Sequence, residues 1–424
     1  MQLNATRKSD AATMGLKTIW WIVGLAIILR LSVIPFLGPD NEELYEYGRI
    51  AWNVVQGYGF SYDFDGRFPL QPTAYSPALY CYTLVPWFFL FGIHLTGPRV
   101  MHALLLAAVC WFLYKIGERL AGRRIGLIAA LIWAVYPELI FLTVRIVPEN
   151  VMFLPMTWML YEAQRLGDGG TGGKTLTRRR AFGCGALLGL SAWINPSLQL
   201  LGLAVPLSWG ITGQLKKREG LGKLVLFVLG AVLVIAPWTI RNYIKLGAFV
   251  PLRTAFAYNV WRGNHIGATG TVRTFEGTDI DDAIPEDYRN LVEAHMVPDE
   301  IERDRFFAAE VKRFIREHPG EYLRLTLTRF LYFWWRDMTH PLTGHPFYVI
   351  PWMIILVFAV LGVWRSLRNW RQWSLWGLQV IGFTLLFSLT IVLPRYRMPI
   401  YPAMFLLAAV GLEYAYSKVR SKFS

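Results

Sequence analysis

The chain has 424 residues, of which 54% are hydrophobic, 15% aromatic and only 17% charged. Soluble domains carry about 25% charged residues, and here the deficit coincides with apolar runs of roughly 20 residues, each able to cross a hydrocarbon core of about 30 Å. The net charge of +14 does not mark a nucleic-acid binder, because the basic residues fall in short clusters between apolar runs rather than on one polar domain.

The apolar runs are continuous rather than alternating, so they are helices and not barrel strands. Arg7, Lys8 and Lys17 precede the first span, Thr18 to Phe36, and place the N-terminus in the cytoplasm. This run is long enough to span and lacks a small-residue cleavage site, so it reads as an uncleaved helix. Residues 38–96 form a first outer loop with two helices at the interface, Glu42 to Gln56 and the aromatic-rich Pro77 to Phe91. Spans follow at Arg99 to Gly117, Ile125 to Thr143 and Val151 to Arg165, then two short ones at Ala181 to Trp193 and Ser197 to Thr212, hinged at Asn195-Pro196. The seventh is Leu224 to Ile240, closed by Arg241.

Parity puts residues 241–346, the one large polar segment, on the outer face. It holds an amphipathic helix around Arg303 to Arg316 and a second, Tyr322 to Trp335, that reads as interfacial. Phe347 to Val363, Leu375 to Leu393 and Ile400 to Tyr416 complete about ten transmembrane helices in one domain, residues 1–424, with both termini cytoplasmic. Cys81, Cys110 and Cys184 show no zinc spacing and no even-numbered framework, which predicts neither disulfide nor cysteine chemistry.

Charge collects at the outer helix ends: Asp40, Glu42, Glu43 and Glu46 after the first span, Arg145 and Glu149 after the third, Arg395 and Arg397 after the ninth. If these ends converge, they line a charged cleft just above the hydrocarbon. On a helix Glu43, Glu46 and Tyr47 share a face. Glu42 and Glu46 would repel, which raises a carboxylate pKa or invites a divalent cation, and a raised carboxylate suits a general base. Arg30 lies inside the first span, where a charge costs about 2.5–3.5 kcal/mol on insertion scales. It is expected to find a partner, snorkel outward or brace the carboxylates.

Several short motifs occur in a familiar order. An acidic residue stands eight positions before Ala51 with Tyr47 between, then come Gly57-Tyr-Gly59, Pro72-Thr-Ala-Tyr-Ser-Pro77 and Phe91-Gly92. Ala236-Pro-Trp-Thr-Ile-Arg-Asn242, the Asn259 to Asn264 run ending near Gly270, His318-Pro319 and Arg395-Tyr-Arg-Met-Pro399 follow. Together they cover nearly the whole chain, and the pattern resembles the GT-C glycosyltransferases. The groups it is most similar to are the protein O-mannosyltransferases, the aminoarabinose transferases acting on lipid A and the rhizobial galacturonosyltransferase-like proteins.

The resemblance implies an all-α, GT-C-like polytopic enzyme of the cell inner (plasma) membrane. Such an enzyme moves a monosaccharide from a polyprenyl-phosphate donor to a hydroxyl of a glycan, lipid or protein acceptor on the periplasmic or extracellular face, inverting the anomeric carbon. Counting back from Ala51 puts the acidic residue at Glu43, where the family often has Asp; Glu46 and Asp40 are rivals, and Glu149 matches a second acidic position. Arg241, Arg262, Arg395, Arg397 and Arg145 are the candidates for the donor phosphate, since guanidinium binds phosphate in bidentate fashion. Tyr47, Tyr75, Asn264 and His265 are candidates for substrate contact. A divalent ion held by Glu43 or Glu149 is left open by the sequence. The competing class is a lipid or solute transporter, which would place its charges near the midplane on broken helices.

Overall fold

A computed structural model describes residues 2–38, 44–168, 174–216 and 218–423. Asp40 and Glu43, two of the candidate bases, lie outside the described residues. The first half holds helices α1 (Gln2–Leu37), α2 (Glu46–Val55), α3 (Ala78–Phe91), α4 (Thr96–Ala121), α5 (Arg123–Val135), α6 (Pro137–Leu142), α7 (Glu149–Gly167), α8 (Lys174–Ile194), α9 (Leu201–Ile211) and α10 (Arg218–Leu246). Then come α11 (Phe256–Arg262), α12 (Glu286–Ala294), α13 (Glu300–Glu317), α14 (Pro319–Trp334), α15 (Pro346–Ser366), α16 (Trp370–Leu389) and α17 (Tyr401–Phe423). Between α2 and α3 a short antiparallel hairpin, β1 (Ser61–Tyr62) with β2 (Gln71–Pro72), pairs Ser61 with Pro72.

Among the described residues five stretches are long and apolar enough to cross a membrane by themselves: Lys17–Leu37, Thr96–Ala121, Arg218–Leu246, Pro346–Leu389 and Pro394–Lys422. The outward faces of these helices are apolar; on α10 they comprise Val225, Val228, Val232 and Leu233. Such a surface is stable only in lipid. In lipid, helices gain little by hiding leucine and instead pack where small residues let backbones approach. A Cβ added at Gly185 of α8 would lie 1.8 Å from the Phe227 carbonyl oxygen of α10, and one at Gly411 of α17 would lie 1.9 Å from the Phe358 oxygen of α15.

Two expected elements differ. The third span is not one helix: it breaks at Tyr136, before Pro137, into α5 and α6. Proline has no N–H and clashes with the preceding turn. α10 continues past Ile240 to Leu246, so Arg241 sits inside the helix rather than closing it. α14 packs against α16 and buries Leu325, Arg329 and Phe333. After the exposed Glu321–Arg324 pair, its outward residues Leu327, Phe330 and Leu331 are apolar.

The Pro137 break explains Arg30. That side chain is fully buried and neither snorkels nor meets a carboxylate. Its guanidinium donates to the carbonyls of Trp133 (3.0 Å), Ala134 (3.0 Å) and Ala26 (3.2 Å). Trp133 would normally accept from the N–H of residue 137, which proline lacks. An orphaned buried carbonyl costs about 1–3 kcal/mol, so Arg30→Met should destabilise the detergent-solubilised protein by about 3 kcal/mol. Thermal unfolding reads this directly, and an unchanged midpoint would refute it.

Candidate functional site

Five chain turns meet at one end of the bundle around a cavity of about 580 Å3. Its walls include Tyr47 from α2, Pro77 before α3, Pro148 and Glu149 at the start of α7, Asn195 to Ser197 between α8 and α9, and Pro251 to Arg253 after α10. Leu386, Phe387, Thr390 and Ile391 at the end of α16 complete it, with Arg395 and Tyr396 from a 3-10 turn, Pro394–Ile400, that leads into α17. The lining is mixed: charged and polar groups stand alongside the apolar Leu200, Leu203, Leu386 and Phe387. Leu203 and Phe256, 66% and 61% exposed, belong to its rim.

Local chemistry fixes each turn. Asn150 donates from Nδ2 to the carbonyls of Leu142 (3.0 Å) and Arg145 (2.7 Å), closing the turn that leads Glu149 into α7. Asn195 caps the next turn: its Oδ1 accepts from the Ser197 N–H (3.2 Å) and hydroxyl (2.8 Å). Ala255 holds a left-handed φ of 64° before α11, a conformation costly for a residue with a Cβ. At the far side the end of α16 is tied down by Asn264, whose Nδ2 donates to the Thr390 carbonyl (2.6 Å), and by Arg329, whose Nε donates to that of Ser388 (2.7 Å).

The polar part of the lining centres on Glu149. It is 4% exposed; its Oε1 lies 3.7 Å from Arg395 Nε, and its Oε2 finds no hydrogen-bond partner among the described residues. A buried carboxylate is costly unless paired, and here one guanidinium supplies the pairing while Oε2 stays buried and unbonded among the described residues. Arg253 also lines the cavity. Its Nε donates to the Thr254 carbonyl (3.2 Å), and among the described residues no carboxylate lies within ion-pair distance of it.

The structure brings together Tyr47, Glu149 and Arg395 of the residues singled out from the sequence. Glu46, half-buried in the first turn of α2, stands beside Tyr47 without lining the cavity. Tyr75 packs on Phe64, 5.0 Å between ring centroids, and Arg145 is exposed; neither lines it.

The other arginines are already bonded elsewhere. Arg241 donates to the carbonyls of Thr73 and Phe60, each at 2.7 Å, and clamps the first outer loop. Arg262 pairs with Asp279 and Asp281. Arg397 is buried, donating to Tyr348 Oη (2.8 Å) and lying 4.0 Å over the Trp352 ring. Hydrogen bonds to charged groups contribute about 1.5–3 kcal/mol each, so freeing any of these for a phosphate would forfeit several kcal/mol.

Asn264 and His265 are likewise interior. Asn264 Oδ1 accepts from Arg329 (3.0 Å). His265 stacks on Trp261 at 4.9 Å, and burial holds its imidazole below the usual histidine pKa, hence neutral. Arg253, Asn195 and Asn259 line the cavity although none was assigned a role from the sequence. The Asn195-Pro196 hinge was a visible signal; a single arginine in Pro251-Leu-Arg253 is not.

Among the described residues no three His, Cys, Asp or Glu side chains gather as a metal cluster. Glu149 faces a guanidinium, so its described surroundings do not form a cradle for a divalent cation.

The helical bundle, with long loops folded over a charged cavity at one end, has a GT-C-like fold. The fold matches that of ArnT from Cupriavidus metallidurans bound to undecaprenyl phosphate, with a TM-score of 0.58 at 16% identity, covering 93% of this chain and 60% of that one. Against apo ArnT from the same organism the TM-score is 0.60 at 15% identity, covering 96% of this chain and 62% of the other. The oligosaccharyltransferase of Archaeoglobus fulgidus, in complex with Zn and sulfate, matches at 0.54 and 12% identity over 95% of this chain and 49% of its own. The chain thus spans about three-fifths of ArnT's length. In sequence, residues 76–240 match the family described as dolichyl-phosphate-mannose-protein mannosyltransferase. None of the curated proteins matches the sequence.

Proposed function

We propose that this chain is a glycosyltransferase that moves a monosaccharide from a polyprenyl-phosphate donor to an acceptor hydroxyl, with inversion. The observation that carries the reading is the meeting of Glu149 and Arg395, about 250 residues apart in sequence, at 3.7 Å in a cavity lined by both charged and apolar side chains. A lipid phosphate needs both: guanidinium for its charge and hydrocarbon for the start of its chain. ArnT, whose fold this chain shares, has been solved with undecaprenyl phosphate bound.

In this reading the donor phosphate lies between Arg395 and Arg253. Glu149 holds the Arg395 guanidinium toward the cavity. A carboxylate from the stretch holding Asp40, Glu43 and Glu46 takes the acceptor hydroxyl proton, and the acceptor oxygen attacks the anomeric carbon. The bond from that carbon to the phosphate oxygen breaks, and the phosphate leaves with the electron pair, its growing charge met by the two guanidiniums. No step is routed through a metal. The cavity faces away from the basic loops, which supports a periplasmic or extracellular site with cytoplasmic termini.

The test is release of polyprenyl phosphate from hexosyl, pentosyl and uronosyl polyprenyl-phosphate donors by purified protein, with envelope extract as the acceptor source. At least one donor should be consumed, and Glu149→Gln should slow consumption about tenfold by leaving Arg395 unpaired. If every donor survived, with the protein folded, the reading would fall.

A further inference from the structure

One buried carboxylate takes no part in the chemistry above. Glu300, at the start of α13, is 5% exposed and faces the first outer loop. Its Oε1 accepts from the Ala74 N–H (2.7 Å); its Oε2 accepts from the hydroxyls of Thr73 (2.8 Å) and Thr254 (3.1 Å). The Thr254 N–H donates in turn to the Ala74 carbonyl (3.0 Å). Two strands of chain distant in sequence are thus joined side by side, with Glu300 as their common acceptor.

Only an acceptor-only group can satisfy three converging donors without turning one of its own hydrogens inward. Burial raises its pKa above the usual carboxylate range, and the three donors pull it back. Arg303, the nearest cation on α13, does not bond to it: that guanidinium donates to the Val297 carbonyl (3.0 Å) and stacks 4.2 Å over Phe64 of the same loop. Carrying a buried charge chiefly on neutral donors, with the Arg303 guanidinium acting only through space, is expensive, and simple packing would not need it. The residues it fixes explain the arrangement. Arg253, directly before Thr254, lines the cavity, and so does Pro77, three residues after Ala74.

We infer that Glu300 is a positioning residue for donor binding: through Thr254 it holds Arg253 at the cavity wall while registering that wall against the first outer loop. This rests on the reading of the cavity as a site for a lipid phosphate. Glu300 does not touch the donor, so its effect runs through Arg253 and is absent when Arg253 is absent.

The experiment measures the dissociation constant of undecaprenyl phosphate for the full chain in detergent, by tryptophan fluorescence, for the unmodified protein and for Glu300→Ala, Glu300→Gln, Arg253→Ala and the Glu300→Ala/Arg253→Ala double variant. Glu300→Ala is expected to weaken binding about tenfold and Glu300→Gln, which keeps one acceptor and a similar shape, about two- to threefold. The double variant should bind no worse than Arg253→Ala, because groups acting as a unit are non-additive. Glu300→Ala combined with Arg395→Ala should instead be additive. A tenfold Glu300 effect persisting without Arg253, or no Glu300 effect in protein of unchanged thermal midpoint, would overturn the assignment. If Glu300→Ala does not fold, Glu300→Gln and Thr254→Val carry the same cycle. No saturable binding by the unmodified protein would overturn the cavity reading and this assignment with it.

Discussion

Arg395→Ala is expected to lower kcat by about two to three orders of magnitude, with a smaller rise in KM for the donor. The charge that Arg395 meets grows as the bond to the phosphate breaks, so its contribution is larger in the transition state than in the ground state. Removing one pre-set donor at such a position costs about 2.7–4 kcal/mol. Arg395 is pre-set by Glu149, 3.7 Å away, and no other lining residue can replace it: Arg253 approaches from a different turn, and Arg397, two residues on, is held against Tyr348 and Trp352. Arg395→Lys should recover part of the loss, because an ammonium supplies charge without the bidentate fork. Arg262→Ala is the contrast. Arg262 is bound to Asp279 and Asp281 and does not line the cavity, so its loss should leave kcat within about twofold. Single-turnover release of polyprenyl phosphate separates the two. Equal losses for both variants would mean that the wrong guanidinium has been assigned to the leaving group.

These two arginines show what the sequence could and could not reveal. Apolar runs made most of the helices legible, since that signal is local: a run of about 20 apolar residues suits one environment. That Tyr47, Glu149 and Arg395 share a cavity was foreshadowed too, because a charge inside a span is costly and most charges therefore collect near helix ends. Which arginine faces the cavity was not legible. An arginine at a helix end has two suitable partners, a substrate phosphate or a carbonyl orphaned by the helix terminus, and the choice depends on chain brought in from elsewhere. Arg30, Arg241 and Arg329 all bond to backbone carbonyls more than fifty residues away. Arg253 failed to stand out for the converse reason. Nothing within its own turn distinguishes it; what places it at the wall is Glu300, 47 positions later, acting on its neighbour Thr254.

The largest effect on folding is expected from a residue with no side chain. Gly411→Val should abolish monodisperse protein in detergent, because the added atoms meet backbone. A Cβ at Gly411 would lie 1.9 Å from the Phe358 carbonyl oxygen and 3.0 Å from the Gly362 nitrogen; one at Gly362 would lie 1.9 Å from the Leu407 oxygen. α15 and α17 therefore touch backbone to backbone along a shared seam, and no rotamer change relieves a contact with a main chain. α17 would have to move outward by more than 1 Å, yet it is among the most enclosed helices: 72% of its spanning window is buried, and Tyr401, Phe405 and Leu406 are fully inside. Overpacking of this kind costs upwards of about 4 kcal/mol, the range in which single substitutions unfold proteins. The turn carrying Arg395 feeds directly into α17, so a Gly411→Ala protein that did fold should transfer sugar poorly even with every charged residue intact. Gly377→Ala provides the control, because nothing lies within 4 Å of its added Cβ. Size-exclusion profiles and thermal midpoints of Gly411→Val and Gly377→Ala should diverge sharply. Matching profiles would mean that the seam between α15 and α17 is looser than its geometry requires.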